Sequence, residues 1–320
     1  MVFVCLLAAV IAALVGWLLT AQLGRLGFLD LPNARSSHQH VTPRGGGLAF
    51  LAATLLLLPW LGEGASNSAA WMLLIPLPLA LVGLVDDHRG LPARFRLLVQ
   101  LGTGLSLALA SGLSLPAACV AAVLTAALIN AVNFMDGLDG LVGSCLLIWL
   151  VLAALLLHQQ ALLLLAAAML GFLVWNWSPA RLFMGDVGST YLGAVLAGTL
   201  LLASRQPIHQ ISFGLWLAAL PLLADAGWCL WRRWSAGQQL WQAHRLHLYQ
   251  RLQQAGWSHA RVALLYAAST GVLAVVALWS QALPLTLAIG VIALAAVLTV
   301  AMGYRLDSQV AVPFAAPPSH

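Results

Sequence analysis

The stretch NAVNFMDGLDGL, residues 130–141, sets two asparagines and two aspartates close together in a chain that is 62% hydrophobic and only 7% charged. The segments on either side are apolar, 116–133 before it and 141–158 after it. It reads as the end of one membrane-length helix turning into the start of the next. Asn130 and Asn133, spaced i, i+3, put both amides on one helical side, and Asp136 continues that stripe before Gly137 and Gly140 loosen the backbone.

Working outward, the 320 residues have a mean hydropathy of +0.95, more apolar surface than one soluble core can bury. About eleven spans are expected, near 2–22, 47–62, 69–85, 97–112, 116–133, 141–158, 160–176, 188–204, 211–230, 260–280 and 283–303. The fold class is therefore an all-α polytopic integral membrane protein. Residues 1–307 form one membrane domain, and 308–320, rich in Ala and Pro, are expected to be disordered. No basic residue precedes the first span and no small-residue cleavage pattern follows it, so it reads as a retained helix rather than a signal peptide. Cys5, Cys119, Cys145 and Cys229 lie far apart with no C-x-x-C pairing, and read as small buried hydrophobes rather than disulfides or metal ligands.

All fourteen basic side chains are arginines. Threaded on eleven spans, Arg25, Arg35, Arg44, Arg89, Arg94, Arg96, Arg181, Arg232, Arg233, Arg245, Arg251, Arg261 and Arg305 fall on one side and Arg205 on the other. The positive-inside rule makes the crowded face cytoplasmic, with the N-terminus outside and the C-terminus inside. The isoelectric point near 9.5 thus marks a face beside anionic membrane lipids, not a nucleic-acid binder.

A carboxylate deep in a span costs roughly 2.5 to 3.5 kcal/mol on insertion scales. Among the nine acidic residues, Glu63 included, Asp86, Asp87, Asp136, Asp139 and Asp186 sit at span ends, all at the arginine-rich end. In NAVNFMDGLDGL the amides and carboxylates are hard oxygens that suit Mg²⁺; the alternative is a polar turn with Asp139 capping the next helix. In GLVDDHRGLPARFRLL the adjacent Asp86 and Asp87 repel unless a cation compensates, and three arginines follow within ten residues. That pair reads as metal or proton-transfer chemistry, or as a solvated helix end. In SPARLFMGDVGSTYLG, Asp186 can cap a helix, offer a metal an oxygen, or do both.

Two further loops are basic. In RSSHQHVTPRGGGLAF, Gly45, Gly46 and Gly47 offer backbone N–H groups and Arg44 a phosphate-matching fork, unless the glycines only serve helix packing. In WRRWSAGQQLWQAHRLHLYQRLQQAGWSHARV, His244, Arg245, His247 and Arg251 can hold a pyrophosphate, or the segment can lie on the membrane anchored by Trp231, Trp234 and Trp241.

These five loops, in this order, resemble the polyprenyl-phosphate N-acetylhexosamine-1-phosphate transferase family over nearly the whole chain. N-x-x-N-x-x-D-G-x-D-G-L with MGDVGS is a specific combination. The resemblance implies attack of a lipid phosphate oxygen on the β-phosphate of a UDP-sugar, yielding lipid-pyrophosphate-sugar and UMP, with Mg²⁺ (or Mn²⁺ in its place) as cofactor. It implies Asn133 and Asp186 as metal ligands. Asp86, Asp87, Asp136, Asp139 and His247 become catalytic, and Arg44, Arg96, Asn130, His244 and Arg245 substrate-binding. The implied partners are undecaprenyl phosphate, the UDP-sugar and membrane lipids, and a homodimer is compatible with it. The implied place is a bacterial inner membrane, multi-pass, with the site on the cytoplasmic face.

One departure matters. Much of the family carries His-Ile/Leu-His-His in the last loop, where this chain has His247-Leu248-Tyr249-Gln250. AHRLHLYQ is similar to the branch that begins O antigen with 6-deoxy sugars such as N-acetylfucosamine or N-acetylquinovosamine, with N-acetylglucosamine as the alternative. A competing class is an ion-coupled transporter, which needs polar groups near span midpoints; only Asp225 lies clearly inside its span. A CDP-alcohol phosphotransferase is disfavoured because Asp139-Gly-Leu-Val-Gly lacks the Ala-Arg of that signature.

Overall fold

The computed structural model describes residues 1–32, 40–62, 70–239, 244–310 and 314. Arg35, Glu63, Trp241 and the remainder of the 308–320 tail lie outside the described residues. Long Leu- and Ala-rich runs become helices because backbone polar groups in an apolar surrounding must satisfy one another within the segment. The helices are α1 (Val2–Gln22), α2 (Gly47–Leu57, continuing as a 3-10 turn, Leu58–Leu61), α3 (Trp71–Leu74), α4 (Leu77–Arg89), α5 (Ala93–Ala110), α6 (Leu115–Met135), α7 (Leu141–Leu157), α8 (Gln160–Asn176), α9 (Gly185–Ser204), α10 (His209–Ser235), α11 (Leu248–Gln254), α12 (His259–Ser280) and α13 (Leu285–Gln309). Proline early in α4 and α6 has no N–H to lose there, and the Ser258 hydroxyl accepts the Arg261 N–H to start α12.

Each expected span overlaps helix among the described residues, with 69–85 broken into α3 and α4. Among the described residues, seven helical runs are long and apolar enough to cross a membrane: α1, Trp71–Arg89, α6, α9, α10, α12 and α13. Gly47–Leu61, α7 and α8 are apolar but shorter. In α5, Arg94 and Arg96 in the first turn cut into the apolar length.

The axis is α9, in which every residue from Val187 to Leu200 is buried, packed by α2, α4, α5, α6 and α10. Where α4 crosses the start of α9, a Cβ on Gly83 would lie 2.5 Å from the Asp186 carbonyl, so only glycine permits that approach. At the perimeter α13 buries only Ala288 and Asp307 and turns Leu294, Val297, Leu298 and Met302 outward. Such a face is what hydrocarbon solvates.

Two details depart from the sequence expectation. A short antiparallel ribbon, β1 (Leu29–Asp30) with β2 (Thr42–Pro43), precedes α2, and Arg44 bridges Phe183 beside it. The backbone N–H groups of Gly46 and Gly47 donate to the carbonyls of Phe183 and Met184 at 2.8 and 2.9 Å, so they are spent on tying α2 to the α9 entrance instead of on phosphate. At the other end, α13 continues to Gln309, beyond the expected tail boundary, because Asp307 is clasped by Arg232 of α10 and Arg251 of α11. The Phe314 ring lies 3.8 Å from the Arg232 guanidinium carbon.

Candidate active site

Three chain segments far apart in sequence meet where α4 and α6 end and α9 begins. Gly185 opens α9 with φ +74, and a Cβ there would stand 2.4 Å from Asp87 Oδ2. The reason is that Asp87 caps the helix: its Oδ1 accepts the Asp186 N–H at 3.0 Å and its Oδ2 the Val187 N–H at 3.2 Å. The Asp186 side chain is thereby aimed back across the gap. Asn133 donates both amide hydrogens, to Asp186 Oδ1 at 2.9 Å and to Ser189 Oγ at 2.8 Å, which leaves its Oδ1 for a metal. Arg96 bridges two carboxylates, 2.6 Å from Asp86 Oδ2 and 3.3 Å from Asp186 Oδ2, while Arg44 Nε stands 4.0 Å from Asp87 Oδ1.

Asp136 sits at the end of α6, partly exposed. Its burial first, then the charges of Asp186 and Asp87, push its pKa up to about 8. Four carboxylates, Asp86, Asp87, Asp136 and Asp186, thus share two guanidiniums, those of Arg44 and Arg96, among the described residues. The carboxyl groups outnumber the guanidiniums by two, with an amide oxygen alongside, and this crowding of like charges helps to keep the proton on Asp136. That set of hard oxygens and that charge fit a divalent ion such as Mg²⁺ or Mn²⁺.

Not every expected site residue joins this group. Asn130, though on the same helix as Asn133, forms a reciprocal amide pair with Gln100 of α5 at 2.8 and 3.3 Å. Asp139 turns toward α12, where Oδ1 lies 3.1 Å from His259 Nδ1 and Oδ2 accepts the Ala180 N–H at 3.1 Å. Burial alone would raise the Asp139 pKa; the hydrogen bond and charge of His259, with Ala180 and Ser178, outweigh it and hold the group low. Asp139 therefore braces the 136–140 turn, as does Asn176, whose Oδ1 accepts the Gly140 N–H at 3.2 Å. Ser189, the last residue of MGDVGS, and His259, in the WSHARV end of the basic loop, lie inside quoted stretches but were not singled out, because their partners Asn133 and Asp139 come from another segment.

The basic loop reaches the same end of the bundle. The Tyr249 hydroxyl donates to the Phe134 carbonyl at 2.9 Å, and the Phe134 and His247 rings lie 6.4 Å apart. Tyr249 is fully buried, its ring against Gly137, and burial raises its hydroxyl pKa well above 10, so it stays a neutral donor. Gln250 accepts the His247 N–H at 3.4 Å and caps α11. Both residues at the positions of the expected histidines thus have partners within the protein. Asp225 anchors the loop from α10. It accepts the N–H groups of Leu248 at 2.8 Å and Tyr249 at 3.1 Å and the Tyr266 hydroxyl at 2.7 Å, and lies 3.7 Å from His247 Nδ1. A carboxylate so engaged is a fastener rather than a carrier group, which counts against a transporter.

His244 was expected to neutralise phosphate charge. Burial first, then His247 and Arg233, push its pKa down to about 4, so the resting ring is uncharged and offers a hydrogen bond instead. Arg245 donates to Gln253 Oε1 at 3.1 Å.

Residues 69–204, which contain the whole carboxylate group, match the family model described as Glycosyl transferase family 4. The chain is 32% identical over 322 residues to the phospho-N-acetylmuramoyl-pentapeptide-transferase of Acaryochloris marina, covering 83% of this chain and 86% of that protein. It is 31% identical to the decaprenyl-phosphate N-acetylglucosaminephosphotransferase of Mycobacterium leprae, over 84% and 81% of the two chains. A probable undecaprenyl-phosphate N-acetylglucosaminyl 1-phosphate transferase of Bacillus subtilis is 27% identical over 73% of this chain and 72% of its own.

Proposed function

The chain belongs to glycosyl transferase family 4, and from that premise we propose that it transfers an N-acetylhexosamine 1-phosphate from a UDP-sugar to undecaprenyl phosphate, releasing UMP. The observation that carries this reading is the meeting of Asp186 and Asn133 across the α6–α9 gap, with Arg96 bridging Asp86 to Asp186. Transfer between two phosphates needs positioning and charge neutralisation more than covalent help, and this end of the bundle holds oxygens for a metal beside cations for phosphates. The named activities of the relatives support the same reaction class.

Asn133 and Asp186 would hold Mg²⁺, or Mn²⁺ on the same donors, and the ion would supply charge neutralisation to pyrophosphate oxygens. Arg96 and Arg44 sit where they can meet anionic substrate oxygens. Asp136, with a pKa close to neutral, is the member suited to take a proton from the lipid phosphate. Asp87, expected to be catalytic, has a further part: it caps the α9 entrance and so aims Asp186. His247 and Arg245 would border the phosphates from the other side, with His244 as a neutral donor.

The arginine asymmetry supports a site on the cytoplasmic face of a bacterial inner membrane, with the N-terminus outside and about eleven spans, the shorter apolar helices embedded among the seven long ones. The reaction would begin O antigen or another cell-surface polysaccharide. For the sugar, the AHRLHLYQ loop favours a 6-deoxy-N-acetylhexosamine, with N-acetylglucosamine as the alternative. Membranes carrying the protein, given undecaprenyl phosphate and a panel of UDP-sugars, test this through UMP release. The reading expects UMP from at least one N-acetylhexosamine donor; release from none of them overturns it.

A further inference from the structure

Cys229, read from sequence as a mere hydrophobe, lies on α10 one turn beyond Asp225, on the side that faces the basic loop. Its Sγ and one ring nitrogen each of His244 and His247 all lie within 4.8 Å of one another. Cys229 and His247 are buried and His244 is partly so. Asp225 stands behind this trio, its Oδ1 3.7 Å from His247 Nδ1, which leaves Nε2 as that ring's nitrogen for a metal. A carboxylate behind a ligating histidine is the usual way a protein orients such a ring.

We propose that Cys229, His244 and His247 form a soft-metal site that takes Zn²⁺, distinct from the oxygen cluster around Asp186. One thiolate and two imidazoles select a borderline-soft ion, whereas Mg²⁺ prefers carboxylate and phosphate oxygens. Zinc–ligand distances of about 2.0 to 2.3 Å bring ligand atoms to roughly 3.5 Å from each other, so binding draws the trio inward by about 1 Å. The thiol proton is released as the sulfur–metal bond forms, both rings coordinate through lone pairs, and no electron transfer is involved. The fourth position is left to water. Two of the three ligands are also the histidines that would border the phosphates. Resting on the proposed function, it follows that Zn²⁺ here inhibits the transfer that Mg²⁺ supports.

The test uses the purified full chain in detergent, titrated with Co²⁺ while the thiolate-to-cobalt charge-transfer absorption is followed. A saturable band equal to one Co²⁺ per chain is expected, displaced by Zn²⁺ and lost in Cys229→Ser and in Cys229→Ala. It should be retained in Asp186→Asn, and Asp225→Asn should weaken Co²⁺ binding by about 10- to 100-fold. No band in the unmodified protein, or a band that survives both Cys229 variants, overturns the site. In the transfer assay Cys229→Ser should keep its turnover in Mg²⁺ and lose inhibition by Zn²⁺. Equal inhibition of both proteins overturns the inhibitory role. If no transfer occurs at all, the enzymatic reading fails and the absorption band alone decides the metal site.

Discussion

Asp87 holds the backbone of Asp186 and not its side chain, accepting its N–H at 3.0 Å and that of Val187 at 3.2 Å. Two adjacent aspartates of one motif therefore do different work. Asp86 meets the Arg96 guanidinium at 2.6 Å, while Asp87 closes the positive end of α9.

This difference predicts unlike outcomes for two isosteric changes. Asp87→Asn removes the charge and one acceptor at a helix start, a loss of about 0.5 to 2 kcal/mol for a cap, so both the thermal midpoint and turnover should fall. Asp186→Asn should abolish turnover while leaving the midpoint in metal-free buffer unchanged or higher, since it relieves carboxylate repulsion. Thermal scans of both variants in chelator check this, and equal midpoints would contradict it.

Asp136 predicts a pH signature. Its folded pKa of about 8 lies above the ordinary 3.8, so the folded chain binds the proton more tightly than the unfolded one. Stability from this group is therefore greatest at low pH and declines as pH rises from about 4 to 8. Asp136→Asn, which cannot ionise, should be more stable than the unmodified protein at pH 8 in chelator, with the gap shrinking toward pH 4 and on addition of Mg²⁺. Midpoints compared across that range measure it.

Most of the fold was legible because polar residues are costly in an apolar chain, so NAVNFMDGLDGL, VDD and MGDVGS announce the ends of helices. What stayed hidden are the partners across the bundle. That Asp87 would cap α9, or that Gly46 and Gly47 would bond the carbonyls of Phe183 and Met184, depends on residues about a hundred or more positions away. No local spacing encodes such a pairing. Asn130 and Asn133 share a helical side by periodicity, yet the roughly 60° between positions i and i+3 is enough to give one to Gln100 and the other to Asp186. Cys229 looked inert because its histidine neighbours come from a different segment.

Tyr249 ties the basic loop to the 130–141 turn, so Tyr249→Phe should lower turnover with every UDP-sugar and leave the preference among them unchanged. The loss reflects a loosened tie between the loop and the Phe134 carbonyl, about 0.5 to 1.5 kcal/mol for one hydrogen bond. Relative rates across the sugar panel measure it, and a shifted preference would show that Tyr249 does read the sugar.

Orientation follows from the arginine count. Cysteines introduced at Ala93, beside the site, and at Ser204, at the far end of α9, in a background lacking the exposed Cys119, should react with an impermeant thiol reagent from opposite sides of the membrane. Ala93 should be reached only from the cytoplasmic side. Labelling of both from one side would contradict the arrangement.

The central claim is that this carboxylate cluster moves a sugar together with its phosphate. The most direct measurement uses purified protein, undecaprenyl phosphate and a UDP-sugar labelled on its β-phosphorus, with Mg²⁺ or excess chelator. The account predicts that the label enters the lipid phase in step with UMP release, and that it stays in the aqueous phase in chelator and with Asp186→Asn. Release of labelled UDP, or transfer of label that persists in chelator, would contradict it.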